Sequence, residues 1–285
     1  MAETSKKERK RTIQDKIISG FNSFRFRITE PIKLKSARNK YEHLYKDPKD
    51  NPLVSVYVPT YNRAELLMER AVKTVLNQTY KNFELIIVGD HCTDNTEELV
   101  SKIKDKRVRF YNLPKREKRY PENVEIHWFA GPVVPANHAL SMIRGKWIAR
   151  LDDDDIWTKD HLESLLRFAQ KGNYEFVSAQ YEEERHGKKI LVDEKDTNPR
   201  IGGTQTWMYR SYLKFFKYNI NCWRKSWNKV NDLDLQDRMY KAGVRMGFLE
   251  KVVCYILPRP GEDSVGLEAY KSTGKEKLDH FSFRD

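Results

Sequence analysis

The sequence predicts an α/β fold in which helices flank a mostly parallel β-sheet. Short apolar runs at 53–58, 83–88 and 108–111 are typical of buried strands. Apolar residues at helical spacing lie between them, over 64–76 and 94–103. Because strand–helix–strand units of this length join parallel strands through right-handed crossovers, we expect a parallel sheet in this half of the chain.

The turns after the first two predicted strands carry polar groups. The first turn, Pro59 to Arg63, has no GxGxxG motif, which argues against a dinucleotide-binding loop. The second strand stops at Gly89 and is followed by Asp90. Asp94, with a glutamate three residues later, predicts a capping box at the start of the next helix.

A long connection separates this unit from the next predicted strand. Residues 112–135 include four prolines, and loops of this length in a compact domain usually act as lids or binding loops. A helix is predicted over 137–144 and a strand over 147–151. Thr158 is predicted to cap a helix that begins after the strand.

Four consecutive carboxylates, Asp152 to Asp155, follow the strand at 147–151. Like charges at this spacing repel one another and raise each other's pKa, so the cluster favours a cation. Hard divalent ions such as Mg²⁺ or Mn²⁺ bind carboxylate oxygens and keep positions for phosphate. Ligands of open α/β sheets bind at the carboxyl ends of the strands. The alternative is a solvated acidic turn in which an aspartate caps a helix.

The second half is predicted to be less regular. It contains a strand at 176–179, a hairpin over 181–192, a polar loop at 193–203, an aromatic segment at 207–227, a helix from 231 and a last strand at 252–257. The predicted divisions are an N-terminal extension (1–50), two halves of one α/β domain (51–157 and 158–258) and a polar C-terminal tail or flap (259–285).

The positive charge is concentrated at the N-terminus. The chain has a net charge of +12, and residues 1–40 carry +8 of it. Six apolar residues lie close to one helical face among these cations: Ile13, Ile17, Ile18, Phe21, Phe24 and Ile28. This pattern predicts contact with an anionic membrane surface or a partner. The alternatives are a helix packed on its own domain or a disordered basic tail; nucleic acid is not expected, since no binding motif accompanies the charge.

Composition also indicates the compartment. Three widely spaced cysteines without a CxxC pair argue against disulfides or zinc and fit a reducing environment. No apolar run reaches the ~18 residues of a transmembrane helix. We therefore expect a cytoplasmic protein that is peripheral on the inner face of a membrane.

Residues 52–258 resemble the family-2 glycosyltransferases of the GT-A fold. The resemblance is carried by five motifs in the family's order and spacing: Val56 to Arg63, Val75 to Tyr80, Leu85 to Thr96, Leu151 to Trp157 and Asn231 to Arg238. It implies an inverting, metal-dependent transfer of a sugar from a UDP- or GDP-sugar to a hydroxyl of a glycan or lipid-linked acceptor, in bacterial-type polysaccharide or glycolipid synthesis.

The resemblance also implies roles for individual residues. Asp232 would be the general base, Asp154 would bind Mn²⁺ or Mg²⁺, and Asp90 would accept a hydrogen bond from the base of the nucleotide. Asp152 would face the ribose. The other implied nucleotide-binding residues are Pro59, Thr60, Tyr61, Asn62, Asn137 and Asp153. At a helix N-terminus, Asp232 is expected to keep a low pKa.

The sequence departs from the family pattern at three places. Gly89 and Cys92 replace an aspartate and a hydroxyl residue, Ala136 replaces an arginine, and Asn231 replaces the acid before the base. These changes affect the donor contacts more than the reaction class. Two alternatives remain: a sugar-nucleotidyltransferase-like enzyme, which would need a glycine-rich phosphate loop, and a non-catalytic nucleotide-binding partner domain.

Overall fold

The computed structural model describes residues 10–47, 49–121, 123–226 and 230–272. The first nine residues of the basic segment and residues 273–285 of the predicted tail lie outside the described residues. Within the described ranges, no helix combines the length and the apolar character that crossing a membrane requires.

One mixed β-sheet organises the described chain. Its strands run in the order β3-β2-β1-β4-β8-β6-β9-β5, with β7 paired to β6. Strands β1, β2, β3 and β4 are mutually parallel, as predicted, and the antiparallel β8 joins them to the second half. The strands are β1 Val54–Thr60, β2 Phe83–Gly89, β3 Val108–Asn112, β4 Trp147–Arg150, β5 Asp155–Trp157, β6 Phe176–Arg185, β7 Lys188–Val192, β8 Met208–Arg210 and β9 Met246–Ile256.

Helices follow most of the predicted segments. They are α1 Ile13–Tyr41, α2 Ala64–Leu66 continuing through a π-helical stretch Leu67–Val72 into α3 Lys73–Leu76, α4 Thr96–Ser101, α5 Val124–Ala130, α6 Val133–Met142, α7 His161–Lys171, α8 Asn231–Lys241 and α9 Gly266–Ser272. The connection over 112–135, predicted to be a long loop, is partly helical, because it contains α5 and the start of α6.

Two predicted helix caps were also wrong. Helix α4 begins at Thr96, and the carboxylate of Asp94 accepts hydrogen bonds from the Thr96 N–H and hydroxyl and from the Ala64 N–H. Asp94 therefore connects the starts of α2 and α4 and forms no capping box. At α7, Asp160 occupies the N-cap position, and Thr158 donates its hydroxyl to the Asp160 carboxylate at 3.0 Å.

Both faces of the sheet are covered. Val56 and Val58 of β1 face a core shared with α3 and α7, whereas Tyr57 points to the opposite core shared with α6 and α8. This is the alternation that a strand buried on both sides produces. The sheet is thus a middle layer between helices, as the predicted fold class requires.

The strand register fixes one edge of the sheet. Thr60 at the end of β1 pairs with Gly89 at the end of β2, and Tyr57 pairs with Arg150 at the end of β4. The turns that follow β1, β2 and β4 therefore leave the sheet side by side. Asp90 and the acidic turn therefore meet at this edge, in the cavity described below.

Candidate active site

A cavity of about 570 Å³ opens at the carboxyl edge of β1, β2 and β4. Its walls come from the turns after these strands, from 203–205, from the start of α8 and from 256–270. Most of the predicted site residues line it: Pro59, Thr60, Tyr61, Asp90, Asp152, Asp153, Asp154 and Asp232. The volume is in the usual range for small-molecule sites.

The acidic turn is neutralised by arginines from separate parts of the chain. Asp153 is buried; it accepts a hydrogen bond from the Thr60 hydroxyl at 2.8 Å and pairs with Arg63 at 2.9 Å. Asp154 pairs with Arg259 at 2.9 Å and with Arg63 at 3.4 Å. Arg70 donates to the backbone carbonyl of Asp154 at 2.7 Å, which fixes the turn itself.

These contacts give neighbouring carboxylates different proton affinities. Burial raises the pKa of Asp153, although Arg63 opposes it. Burial also acts on Asp154, but the cations of Arg63 and Arg259 outweigh it and hold its pKa below the ordinary value. For Asp155, burial and then repulsion from the other three aspartates raise the pKa well above the usual range. Asp154 is thus the member of this trio that is best kept ionised.

The acidic turn fits a divalent ion only in part. Among the described residues, no group of three or more His, Cys, Asp or Glu side chains could enclose a metal. Asp154 nevertheless offers an ionised carboxylate at the cavity wall. A hard divalent ion often takes one or two protein carboxylates and completes its shell with substrate phosphates and water. The donor set therefore fits a metal that arrives with a phosphorylated ligand.

Asp152 is held by Arg150, the last residue of β4. The buried Arg150 donates to Asp152 Oδ1 from Nε at 3.1 Å and from Nη2 at 2.9 Å. The guanidinium of Arg150 also lies over the Tyr218 ring at 5.1 Å. The Asp152 carboxylate remains partly exposed and faces the cavity.

Asp90 lies in a second, partly aromatic region of the cavity. Its Oδ2 lies 3.5 Å from the guanidinium of Arg116, which is stacked on the Tyr61 ring at 3.8 Å. Its buried Oδ1 accepts no hydrogen bond from the described part of the chain. Burial raises the pKa of Asp90, and Arg116 limits the rise. A flat ligand with an N–H group would find both a stacking surface and an acceptor here.

A neutral histidine completes this region. Burial, with the cation of Arg116 nearby, lowers the pKa of His127 to about 4. Its Nε2 lies 3.4 Å from Arg116 and its Nδ1 lies 3.3 Å from the carbonyl of Pro121. His127 therefore orients Arg116 without adding charge at neutral pH.

Asp232 lies in the first turn of α8, across the cavity from β1. Its Oδ1 accepts the Leu233 N–H at 2.8 Å and its Oδ2 accepts the Thr204 hydroxyl at 3.2 Å. The expected low pKa of Asp232 was wrong: burial raises it, and the attraction of Arg150 does not compensate. The partial charge of the helix terminus is smaller than the cost of moving a carboxylate out of water.

The unusual residues of this sequence have local structural reasons. A Cβ atom on Gly89 would lie 2.6 Å from Asn112 Oδ1, which accepts the Cys92 N–H at 2.8 Å. The space of the replaced carboxylate is therefore taken by Asn112. Asn231 is buried and donates to the carbonyls of Phe129 and Gly131, so it ties α8 to the end of α5.

Two predicted nucleotide-binding residues lie outside the residues that line the cavity. Asn62 holds the turn at Thr93, whose N–H donates to Asn62 Oδ1 at 2.8 Å. Asn137 makes two hydrogen bonds of 2.9 Å with the backbone of Tyr218. Asn137 thereby positions Tyr218, which in turn lies under Arg150 of the cavity wall.

The arginines of this site were not predicted as site residues from the sequence. Arg116 lies in the connection that was predicted to be a loop, and Arg259 lies in the predicted tail. The described part of that tail lines the cavity through Arg259, Glu262 and α9, and Tyr270 is buried there. Arg150, two residues before the four aspartates, was a local signal that the sequence offered.

The sequence of this chain matches the model of a known family. The sequence profile described as Glycosyl transferase family 2 matches residues 55–125 and 129–230. The chain belongs to this family. The resemblance and the enzyme class that it implies, a glycosyltransferase, are thereby confirmed.

Curated relatives align with different shares of this chain. An uncharacterized glycosyltransferase of Rickettsia felis is 38% identical over 130 residues, which is 45% of this chain and 19% of the relative. The chain therefore matches about one fifth of that relative's length. The poly(ribitol-phosphate) beta-N-acetylglucosaminyltransferase TarP of Staphylococcus aureus is 29% identical over 236 residues, covering 78% of this chain and 68% of TarP.

Solved structures share the fold. S. aureus TarS 1-349 in complex with UDP-GlcNAc matches with a TM-score of 0.58 and 21% identity, covering 74% of this chain and 60% of that one. The mannosyltransferase PcManGT from Pyrobaculum calidifontis in complex with GDP-Man and Mn²⁺ matches with a TM-score of 0.56 and 17% identity, covering 83% and 69%. The GT-A type of α/β fold expected from the sequence is confirmed.

Proposed function

We propose that this chain transfers a sugar from a nucleoside-diphosphate sugar to an acceptor hydroxyl, with inversion at the anomeric carbon. The observation that carries the proposal is the single cavity that brings Asp90, the acidic turn and Asp232 together. Asp90 would bind the nucleobase, the acidic turn would bind the diphosphate with its metal, and Asp232 would bind the reacting hydroxyl. The same cavity contains the arginines that an anionic donor requires.

The donor is proposed to lie along the edge of β1 and β2. The base stacks in the region of Tyr61 and Arg116, with its N–H donating to Asp90 Oδ1, the buried oxygen without a described partner. The ribose faces the exposed part of Asp152. UDP and GDP are both proposed as carriers, since uracil and guanine each present an N–H to a carboxylate.

The diphosphate is proposed to meet Asp154, Arg63 and Arg259. Asp154 would hold Mn²⁺ or Mg²⁺, which neutralises the charge that develops on the departing diphosphate. The two arginines now paired with Asp154 carry the charge and the planar hydrogen-bond donors that phosphate oxygens favour. Their release from Asp154 would accompany ligand binding.

Asp232 is proposed to take the proton of the acceptor hydroxyl as the new bond to the sugar forms. Burial raises the pKa of Asp232, which makes it a better base than an exposed aspartate. Thr204 and the Leu233 N–H keep its oxygens in place. Attack on the face opposite the leaving diphosphate would invert the anomeric configuration.

The acceptor is proposed to be a glycan or lipid-linked hydroxyl used in bacterial polysaccharide or glycolipid synthesis. TarP, which matches over most of this chain, is named for a poly(ribitol-phosphate) acceptor. The proposed location is the cytoplasm, at the inner face of a membrane. A nucleotidyltransferase activity is disfavoured, because Pro59 to Arg63 form no glycine-rich phosphate loop.

Titration of the full chain with UDP or GDP, each with and without Mn²⁺, tests the proposal. Calorimetry should show nucleotide binding that Mn²⁺ strengthens, and a crystal soaked with the tighter nucleotide should place its diphosphate at Asp154. A nucleotide bound elsewhere, or no binding of either nucleotide with Mn²⁺ present, would overturn the assignment. Donor hydrolysis in the absence of acceptor then separates an enzyme from a binding domain.

A further inference from the structure

Helix α1 packs on the body of the protein through its polar residues. Asp15 is fully buried and pairs with Arg224 at 2.6 Å. Glu30 is buried and pairs with Arg238 of α8, whose Nε lies 2.9 Å from the buried Asp234. Leu34 and Ala37 extend this contact into the core. The helix predicted in this basic segment is present over Ile13–Tyr41, and the alternative of a helix packed on its own domain is confirmed for this face.

The apolar stripe of α1 faces outward. Six of its large side chains are between 46% and 77% exposed: Ile13, Ile17, Phe21, Phe24, Ile28 and Ile32. At 100° per residue they span about 100° of the helix surface, which is one continuous strip. Exposed apolar area of this extent on a soluble domain usually marks an interaction surface.

The charges around the strip have one sign. Helix α1 contains two acidic residues, Asp15 and Glu30, and both are buried in ion pairs. Its exposed charged residues are all cations: Lys16, Arg25, Arg27, Lys33, Lys35 and Lys40. A second copy of the same strip would bring these cations against each other. An anionic surface with an apolar interior complements both the charge and the apolar strip.

We propose that the outward face of α1 lies in the interface of a membrane that contains anionic lipids. The strip enters the boundary between headgroups and acyl chains, and the flanking cations contact the headgroups, as in other interfacial helices. This inference goes beyond the proposed reaction and does not depend on it, because none of its residues is among those that line the cavity. Its test measures binding and not transfer.

Vesicle sedimentation of the full chain decides the proposal. Phosphatidylcholine vesicles that contain phosphatidylglycerol should bind the wild type, and pure phosphatidylcholine vesicles should bind it far less. The variant Phe21→Ser/Phe24→Ser should bind at least about tenfold more weakly, a change of about 1.4 kcal/mol. Both side chains are about two thirds exposed, so the fold should be preserved and near-native unfolding curves should confirm it.

Two further variants separate the apolar and charged parts. Lys16→Gln/Arg27→Gln should weaken binding about fivefold per cation, and added salt should reduce the binding of the wild type. The matched control is Ile190→Ser/Leu191→Ser on β7, which removes two exposed apolar side chains elsewhere and should bind like the wild type.

Three results would overturn the proposal. Equal pelleting of the wild type and of Phe21→Ser/Phe24→Ser would show that the strip is not the contact. Equal binding to neutral and anionic vesicles would remove the role of the cations. A concentration-dependent dimer in sedimentation equilibrium, lost in the same variant, would assign the strip to a second copy of the chain.

Discussion

Replacing Asp232 by Asn tests the proposed base with little change in shape. The variant keeps the size of the side chain and its position beside Thr204 but cannot accept a proton. General-base catalysis is worth about 10²–10⁴-fold in rate, or about 3–5 kcal/mol of barrier. Because burial raises the pKa of Asp232 and so strengthens it as a base, we expect a loss within this range.

The assay combines rates with binding. kcat for Asp232→Asn should fall while calorimetric affinities for nucleotide and Mn²⁺ stay near the wild type, since the donor contacts lie across the cavity. The wild-type rate should be lost as pH falls through the folded pKa of Asp232, because protonation removes the base. That acid limb should lie at higher pH than for an exposed aspartate and should be absent from the residual activity of the variant.

The control for this variant is on the same helix. Asp237 forms an exposed ion pair with Lys241 at 2.9 Å, so Asp237→Asn should leave kcat unchanged and cost under ~1 kcal/mol of stability. Asp234 is unsuitable as a control, because it is fully buried between Lys225 and Arg238 and its loss should cost roughly 3–5 kcal/mol. Wild-type kcat in Asp232→Asn, or equal inactivity of Asp237→Asn, would refute the assignment.

Three other predictions follow from single contacts. Asp154→Ala should abolish the part of nucleotide binding that depends on Mn²⁺, as measured by calorimetry; unchanged Mn²⁺-dependent binding would show that the metal is held elsewhere. His161 is buried, and burial lowers its pKa to about 3. As pH falls below about 6.5, the unfolded chain therefore binds a proton at this residue that the folded chain excludes. The free energy of unfolding should fall by on the order of 4 kcal/mol by pH 3 for this reason. Urea unfolding at several pH values should show that the free energy of unfolding falls less steeply with decreasing pH in His161→Gln than in the wild type. An unchanged pH dependence would contradict the assignment of this loss to His161. Gly89→Asp should lower the free energy of unfolding, measured by urea titration, by about 1–3 kcal/mol through its clash with Asn112. Asn112→Ser should relieve part of that loss, and no loss in the single variant would mean that the turn can adjust.

Local sequence patterns were sufficient for the sheet edge and its acids. Strands β1, β2 and β4 are short apolar runs, and each ends where a polar turn begins, so parallel pairing alone brings Asp90 and Asp152 together. The helix caps could not be located from spacing. Asp94 accepts the Ala64 N–H at the start of α2, and the Thr158 N–H donates to the Val253 carbonyl of β9, so both contacts depend on the positions of neighbouring elements.

The arginines of the site and the orientation of α1 depend on long-range contacts. Arg259 reaches Asp154 from more than a hundred residues away, and no local pattern encodes that pairing. An apolar stripe on a helix usually predicts its buried face. In α1 the opposite face is buried, because Asp15 and Glu30 meet arginines that fold against them from the second half of the chain.

The ion pair between Arg238 and Glu30 makes the N-terminal helix a structural support of α8. A shortened chain that begins after residue 40 would remove Asp15 from Arg224 and Glu30 from Arg238, and Arg238 lies on the helix that carries Asp232. In a truncated chain, a loss of membrane binding could not be separated from a loss of folding. Substitutions on the outward face of α1 leave intact the face that packs on the body of the protein. The two faces of α1 can accordingly vary independently during evolution. The packed face is constrained by the protein interior, and the outward face is constrained by the surface that it contacts in the cell.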